Sequence, residues 1–224
     1  MSRIADNITA LRRNLPPNIT LLCVSKYHTV ESIEEAYSAG ERLFAESRLK
    51  ELQSKYAVLP RDIKWHFIGH LQTNKIRQLL PLVSLIHGVD SIRLLETINR
   101  EAQKQAVITE VLLEVHISQD DTKYGFSEQD IRSLFRQRVW ENLSNVKIRG
   151  LMGMASLTDD KQQIRTEFHN IKTLFDDIKS QYYNTSDFDI LSIGMTDDYP
   201  IAIEEGSTLI RIGTGIFGEK TADY

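Results

Sequence analysis

Eight short runs of apolar, largely β-branched residues recur along this chain, each separated from the next by a stretch of helical period. The runs lie at 19–25, 42–45, 64–68, 85–89, 110–117, 148–152, 188–193 and 208–212. Between them, apolar residues three and four apart predict helices at 32–39, 48–56, 74–80, 92–105, 128–139, 162–182 and 201–205. Ser91, Ser127 and Asp160 stand where an N-cap accepts backbone N–H groups, and Gly40 and Gly206 stand just past two helix ends. Strict alternation of strand and helix predicts a parallel sheet, and strands apolar on both sides predict one covered on both faces. Eight repeats, preceded by an amphipathic helix at 1–15, make a (β/α)8 barrel the leading α/β architecture, and the 224 residues are then used up by one domain, 1–224. A doubly wound open sheet is the alternative. No Gly/Ser/Pro-rich linker marks a second domain.

Charge and hydropathy exclude other classes. Lys plus Arg is 27 against 31 for Asp plus Glu, without long blocks of one sign, so no electrostatic footprint for nucleic acid is present. The longest apolar stretches, such as 79–86 with Pro81 inside it, fall short of the roughly 20 residues that span a bilayer. The first 15 residues carry Arg3, Asp6, Arg12 and Arg13 and lack a signal-peptide apolar core. Cys23 is the single cysteine, so no intrachain disulfide can form and a cytoplasmic location is expected.

In such a barrel the active site lies at the C-terminal ends of the strands. Those ends present Lys26, Glu46, Gly69 with His70, Asp90, His116 with Ser118, Met154, Met195 and Arg211. A lysine in a partly desolvated mouth gives up its proton more readily, and the free amine condenses with aldehydes; the bland alternative is a lysine that snorkels to water. After the last strand, Gly213, Gly215 and Gly218 fit G-x-G-x-x-G, but no βαβ unit follows, which rejects a dinucleotide fingerprint. What remains is a turn whose backbone N–H groups and Thr214 hydroxyl suit a single phosphate. The neighbouring loop SIGMTDD at 192–198 adds the hydroxyls of Ser192 and Thr196. Either loop taken singly also reads as a plain tight turn. His66 and His70 have the i, i+4 spacing of a helical zinc pair. The surrounding WHFIGHLQTNK at 65–75 reads as strand and loop, so these side chains are expected to bond each other, nearby loops or a ligand. Glu114 and His116 lie on one side of the fifth strand, either facing the barrel interior or forming a satisfied core pair, and Cys23 reads as a small buried hydrophobe.

The strings VSK at 24–26, FAE at 44–46, WHFIGHLQTNK at 65–75, GLM at 150–152, SIGMTDD at 192–198 and GSTLIRIGTGIFG at 206–218 run in order over nearly the whole chain. Together they resemble the pyridoxal 5'-phosphate homeostasis proteins. The resemblance implies a barrel like the N-terminal domain of alanine racemase, with pyridoxal phosphate bound as a Schiff base to Lys26. It also implies a phosphate held around Gly213 and Thr214, with hydroxyls from Ser192 or Thr196, and Arg211 near the pyridine nitrogen. A permanent guanidinium there disfavours ring protonation and weakens the cofactor as an electron sink. Two positions depart from the family pattern: Ser47 stands where an asparagine is frequent, and His28 where a second lysine is frequent. The implied role is a cofactor carrier or buffer, a monomer that hands pyridoxal phosphate to apo-enzymes. The rival is an amino-acid racemase of weak activity. With six residues after Gly218, the β-domain that supplies the racemase tyrosine is expected to be absent, which leaves Tyr27, Tyr199 and His70 as stand-ins.

Overall fold

A computed structural model describes residues 3–119, 124–183 and 185–219. Eight parallel strands close into a barrel in chain order. They are β1 (Thr20–Val24), β2 (Leu43–Glu46), β3 (Lys64–Phe67), β4 (Leu85–Val89), β5 (Thr109–Val115), β6 (Val146–Gly153), β7 (Ile190–Ser192) and β8 (Leu209–Ile212). Closure is made by β1 on β8, with Thr20, Leu21, Leu22 and Cys23 opposite Leu209, Ile210, Arg211 and Ile212. An open sheet would leave that edge unpaired, so the doubly wound alternative is excluded.

The leading helix α1 (Arg3–Asn14) forms as expected, although residues 1 and 2 of the expected span lie outside the described residues. Around the barrel follow α2 (Val30–Ser38), α3 (Leu49–Val58), α4 (Ile76–Leu79), α5 (Ile92–Lys104), α6 (Glu128–Arg136), α7 (Lys161–Gln181), α8 (Tyr199–Glu204) and α9 (Thr214–Phe217). The caps are made by the expected residues. Ser91 accepts from Leu94 N, Ser127 forms a reciprocal box with Asp130, and Asp160 accepts from Gln162 and Gln163. Thr29, not singled out from the sequence, caps α2, and α9 turns the glycine-rich end of β8 into one helical turn.

Two apolar layers explain why the strands read as apolar on both sides. Outward residues such as Leu21, Phe44, Trp65, Leu113 and Ile210 join the helix faces in one large cluster. Inward residues at the alternate positions fill the barrel in smaller groups: Leu22, Val24, Ala45 and Leu209, then Leu85, Leu112 and Met152. A bulge lies between β5 and β6, where Val111 and Leu112 face Ile148 and Gly150 and Arg149 is skipped. Ile148 and Leu151, three apart, consequently both face the helices. Gly150 makes this possible with φ +153 and a position where a Cβ would lie 1.8 Å from the Ile190 carbonyl oxygen.

The same two-residue period aims polar side chains inward. Ser192 follows Ile190, Arg211 follows Leu209, His87 follows Leu85 and Glu114 follows Leu112, all four polar residues being buried. Lys26 continues the parity of Leu22 and Val24 and leaves the strand at the barrel mouth.

Candidate functional site

At the C-terminal ends of the strands a cavity of about 260 Å3 is lined by Lys26, Tyr27, His28, Thr196, Arg211, Gly213 and Thr214, with Val24, Ile68, Met152, Met154 and Met195 as apolar walls. Its size falls just below the roughly 300–1,000 Å3 of drug-sized pockets and suits a small ligand. Five of the six expected site residues meet here, drawn from segments almost 190 positions apart in the chain.

Backbone pairing and a tight turn hold Lys26. Ser25 N donates to Ala45 O at 3.0 Å, and His28 N closes back on Ser25 O at 3.1 Å. Tyr27 between them adopts φ 67, a left-handed conformation uncommon for a bulky residue. Its N–H donates to Glu51 Oε1 at 2.6 Å, and the Lys26 Nζ lies 6.0 Å from the centroid of its ring. Below the turn, between sheet and α3, Lys55 is fully buried and donates to Ser25 O at 2.9 Å and to Glu46 Oε1 and Glu51 Oε1 at 2.7 Å each. The Ser25 hydroxyl adds a 2.6 Å bond to the same Glu46 oxygen. Burial pushes the Glu46 carboxyl up to about 7 against the pull of Lys55 and Ser25, and its second oxygen has no hydrogen-bond partner among the described residues. Glu46 was among the strand-end candidates; Lys55 and Glu51 were not, although their i, i+4 spacing on a helix was visible.

Across the mouth, the fully buried Arg211 guanidinium donates from Nη1 to Ser192 O and Ser192 Oγ, both at 2.7 Å, and from Nη2 to Gly153 O at 3.0 Å. Desolvation lowers its pKa to about 10, which leaves it charged at neutral pH. These bonds correct one expectation. The Ser192 hydroxyl sits beneath Arg211, fully buried and bonded to the guanidinium and to His87, and does not line the cavity as a phosphate contact. Thr196 is the hydroxyl on the rim. It accepts from Thr214 Oγ1 at 3.1 Å and from Gly215 N at 3.3 Å, so it ties the loop after β7 to the glycine turn after β8.

The histidine pair is split rather than joined. In an extended strand, residues four apart lie about 13 Å apart along the chain. His66 instead faces His87 at 3.0 Å, while His70, beyond the strand end, lies 3.2 Å from Asp90 and stacks on Tyr124. Glu114 faces inward as one reading held, and burial raises its pKa, with Asp90 adding to the rise. His116 donates its backbone N–H to Phe126 O. Of the racemase stand-ins, Tyr27 lines the cavity; Tyr199 and His70 do not. His28 lines it too, its ring stacked on Phe217 at 4.9 Å and its buried Nδ1 without a hydrogen-bond partner among the described residues.

The cavity thus brings together an amine, a buried guanidinium, apolar walls and a bonded pair of threonine hydroxyls. The family model described as "Alanine racemase, N-terminal domain" matches residues 1–221. A pyridoxal phosphate homeostasis protein of Aquifex aeolicus is 38% identical over 201 residues, 89% of this chain and 86% of its own. One from Synechocystis is 36% identical over 92% of this chain and 94% of its own. Among solved structures, PipY of Synechococcus elongatus without PLP superposes with TM-score 0.90 at 37% identity, covering 96% of this chain and all of its own. PipY with PLP bound gives 0.87 at 36% identity, covering the same shares of the two chains. A Clostridium difficile alanine racemase, 15% identical and covered over 57% of its length, shares the fold with TM-score 0.77. Barrel and sequence agree over nearly the whole chain, and the protein belongs to the pyridoxal phosphate homeostasis protein family, built on the alanine racemase N-terminal barrel.

Proposed function

We propose that this protein binds pyridoxal 5'-phosphate on Lys26 and serves in the homeostasis of that cofactor, holding it and giving it up again. When bound, the cofactor supplies an aldehyde that condenses reversibly with an amine. The observation that carries the reading is the convergence of Lys26, Arg211 and the Thr196–Thr214 hydroxyl pair on one cavity of matching size. Lys26 provides the amine, held over the cavity by the Glu51 and Lys55 contacts behind its turn. Gly213, Thr214 and Thr196 lie where backbone N–H groups and hydroxyls can receive a phosphate. Arg211 presents a fixed cation to the ring, and a guanidinium in that place does not readily give up a proton, so the ring stays a poor electron sink. That favours storage over turnover.

The reading includes a monomer acting in the cytoplasm, with apo-enzymes that need the cofactor as recipients. No helix among the described residues is long and apolar enough to cross a membrane.

Purified protein mixed with pyridoxal phosphate should show a visible absorption band, and borohydride should fix the cofactor on Lys26. The Lys26→Ala variant should lose both; retention of the band by that variant would overturn the assignment. Because Tyr27 is the one racemase stand-in at the cavity, conversion of L-amino acids to their D forms is the discriminating assay. The carrier reading expects no sustained turnover, and sustained turnover would replace it with the racemase reading.

A further inference from the structure

Four polar side chains form a continuous buried chain through the barrel interior, and two of them have no part in the site described above. Arg211 Nη1 reaches Ser192 Oγ at 2.7 Å, Ser192 Oγ reaches His87 Nδ1 at 3.2 Å, and His87 Nε2 reaches His66 Nδ1 at 3.0 Å. His66 opens at the far end on a second cavity, lined by Thr20, Lys64 and Thr208 from the starts of the strands. All four residues are at most 7% exposed.

Proton counting gives the chain one direction. Arg211 can only donate, so Ser192 Oγ accepts from it. The hydroxyl has one proton, and its contacts among the described residues are Arg211 and His87. If His87 also donated to it, that proton would be buried without an acceptor. Ser192 therefore donates to His87 Nδ1, His87 carries its proton on Nε2 and donates to His66 Nδ1, and His66 carries its proton on the Nε2 facing the second cavity. Both rings are neutral in this arrangement. Burial holds them so, with Lys64 adding to the effect at His66, and His66 and Arg211 adding to it at His87. Every bond dipole then turns its negative end toward the guanidinium.

We propose that His87 and His66 are positioning residues for Arg211. Through Ser192 they fix the orientation of the cation that meets the ring of the bound cofactor. The proposal rests on the reading of Arg211 given above and adds that the ring's electrostatic environment is set from inside the barrel, by a chain anchored at its opposite end.

Two measurements test it. In unloaded protein labelled with 15N-histidine, His87 and His66 should both show the Nε2–H form, unchanged between about pH 6 and 8. An Nδ1–H form of His87, or its titration in that range, would overturn the chain whatever the cofactor does. In protein loaded with pyridoxal phosphate, His87→Phe should move the pH midpoint of the visible band by about one unit. His87→Gln, whose amide accepts from Ser192 and donates to His66, should restore it, and Ser192→Ala should repeat the His87→Phe shift. Equal midpoints in all four proteins would reduce the chain to packing and overturn the proposal. Absence of any band in the unsubstituted protein would instead strike the Lys26 reading, and the proposed role with it, while the labelled-histidine result would still stand for the chain.

Discussion

Lys55 is an ammonium group without access to water, set between two carboxylates. One cation cannot neutralise both, and burial settles the difference by raising Glu46 to about 7. Removing the cation in Lys55→Met leaves two buried carboxyl groups facing each other and should cost about 3–5 kcal/mol in urea unfolding, with looser cofactor retention because the Lys26 turn loses its support. The raised Glu46 also has a pH signature. A carboxyl whose folded pKa lies above its unfolded value, 4.5, stabilises the fold at low pH, and that contribution is lost as pH rises from about 4.5 to about 7. His66 and His87, both lowered by burial, act in the opposite sense: their contribution is present above about 6.5 and is lost as pH falls toward the His66 value of about 3. The clean measurement is therefore the stability difference between the protein and Glu46→Gln, which should shift against the unsubstituted protein as pH rises through that window. A difference flat with pH would show Glu46 ionised throughout.

At the scale of elements, the loop after β7 shows how a strand end is made into a site. Gly194 has φ +94, its carbonyl accepts from Arg211 N at 3.0 Å, and a Cβ there would lie 2.6 Å from Ala202 Cβ in α8. Gly194→Ala should cost about 2–4 kcal/mol and weaken cofactor binding together, since the same loop carries Thr196. Ser127→Ala, on the capping box of α6 far from the cavity, should cost about 1 kcal/mol in thermal or urea unfolding and leave the visible band untouched. The contrast between these variants separates loops that build the site from elements that only build the barrel. Both features were partly legible beforehand. Ser127 is recognisable because an N-cap needs only the next three residues. The loop at 192–198 reads as a turn from its sequence, but the contact of Gly194 with α8 depends on how that helix packs.

At the scale of the whole molecule, closure is the decisive event. Pairing of β1 with β8 brings Leu22 opposite Arg211 and so places Lys26, near the start of the chain, across one small cavity from the residues near its end. The proposed reading is a monomer. Sedimentation of the purified protein should accordingly give the mass of a single chain, 25.7 kDa, with or without pyridoxal phosphate. A dimer with its interface over the mouth would contradict the monomeric reading.

The sequence by itself set the eight strand–helix repeats and their caps, because strand and helix periods and cap residues are local properties read within a few positions; barrel and open sheet were separated only by the pairing of β1 with β8. A parallel barrel sends every strand end to the same face, which made Lys26 and Arg211 strand-end candidates and put the loops of Thr196, Gly213 and Thr214 beside them; that they form one cofactor site is what the resemblance implied. Tertiary structure alone decided what stands behind them. The true partner of His66 is His87 rather than His70, since strand geometry separates side chains four apart while a barrel interior joins side chains of different strands. Of the two hydroxyls expected near a phosphate, Ser192 or Thr196, only Thr196 lines the cavity; Ser192 is buried against Arg211 because its alternation along β7 turns it inward. Lys55 needed both its carboxylates and the carbonyl of Ser25, 30 positions away, before it could be recognised as a support of the site. Hydrogen bonds between inward side chains depend on register and closure, and these are set by the whole barrel rather than by any one segment.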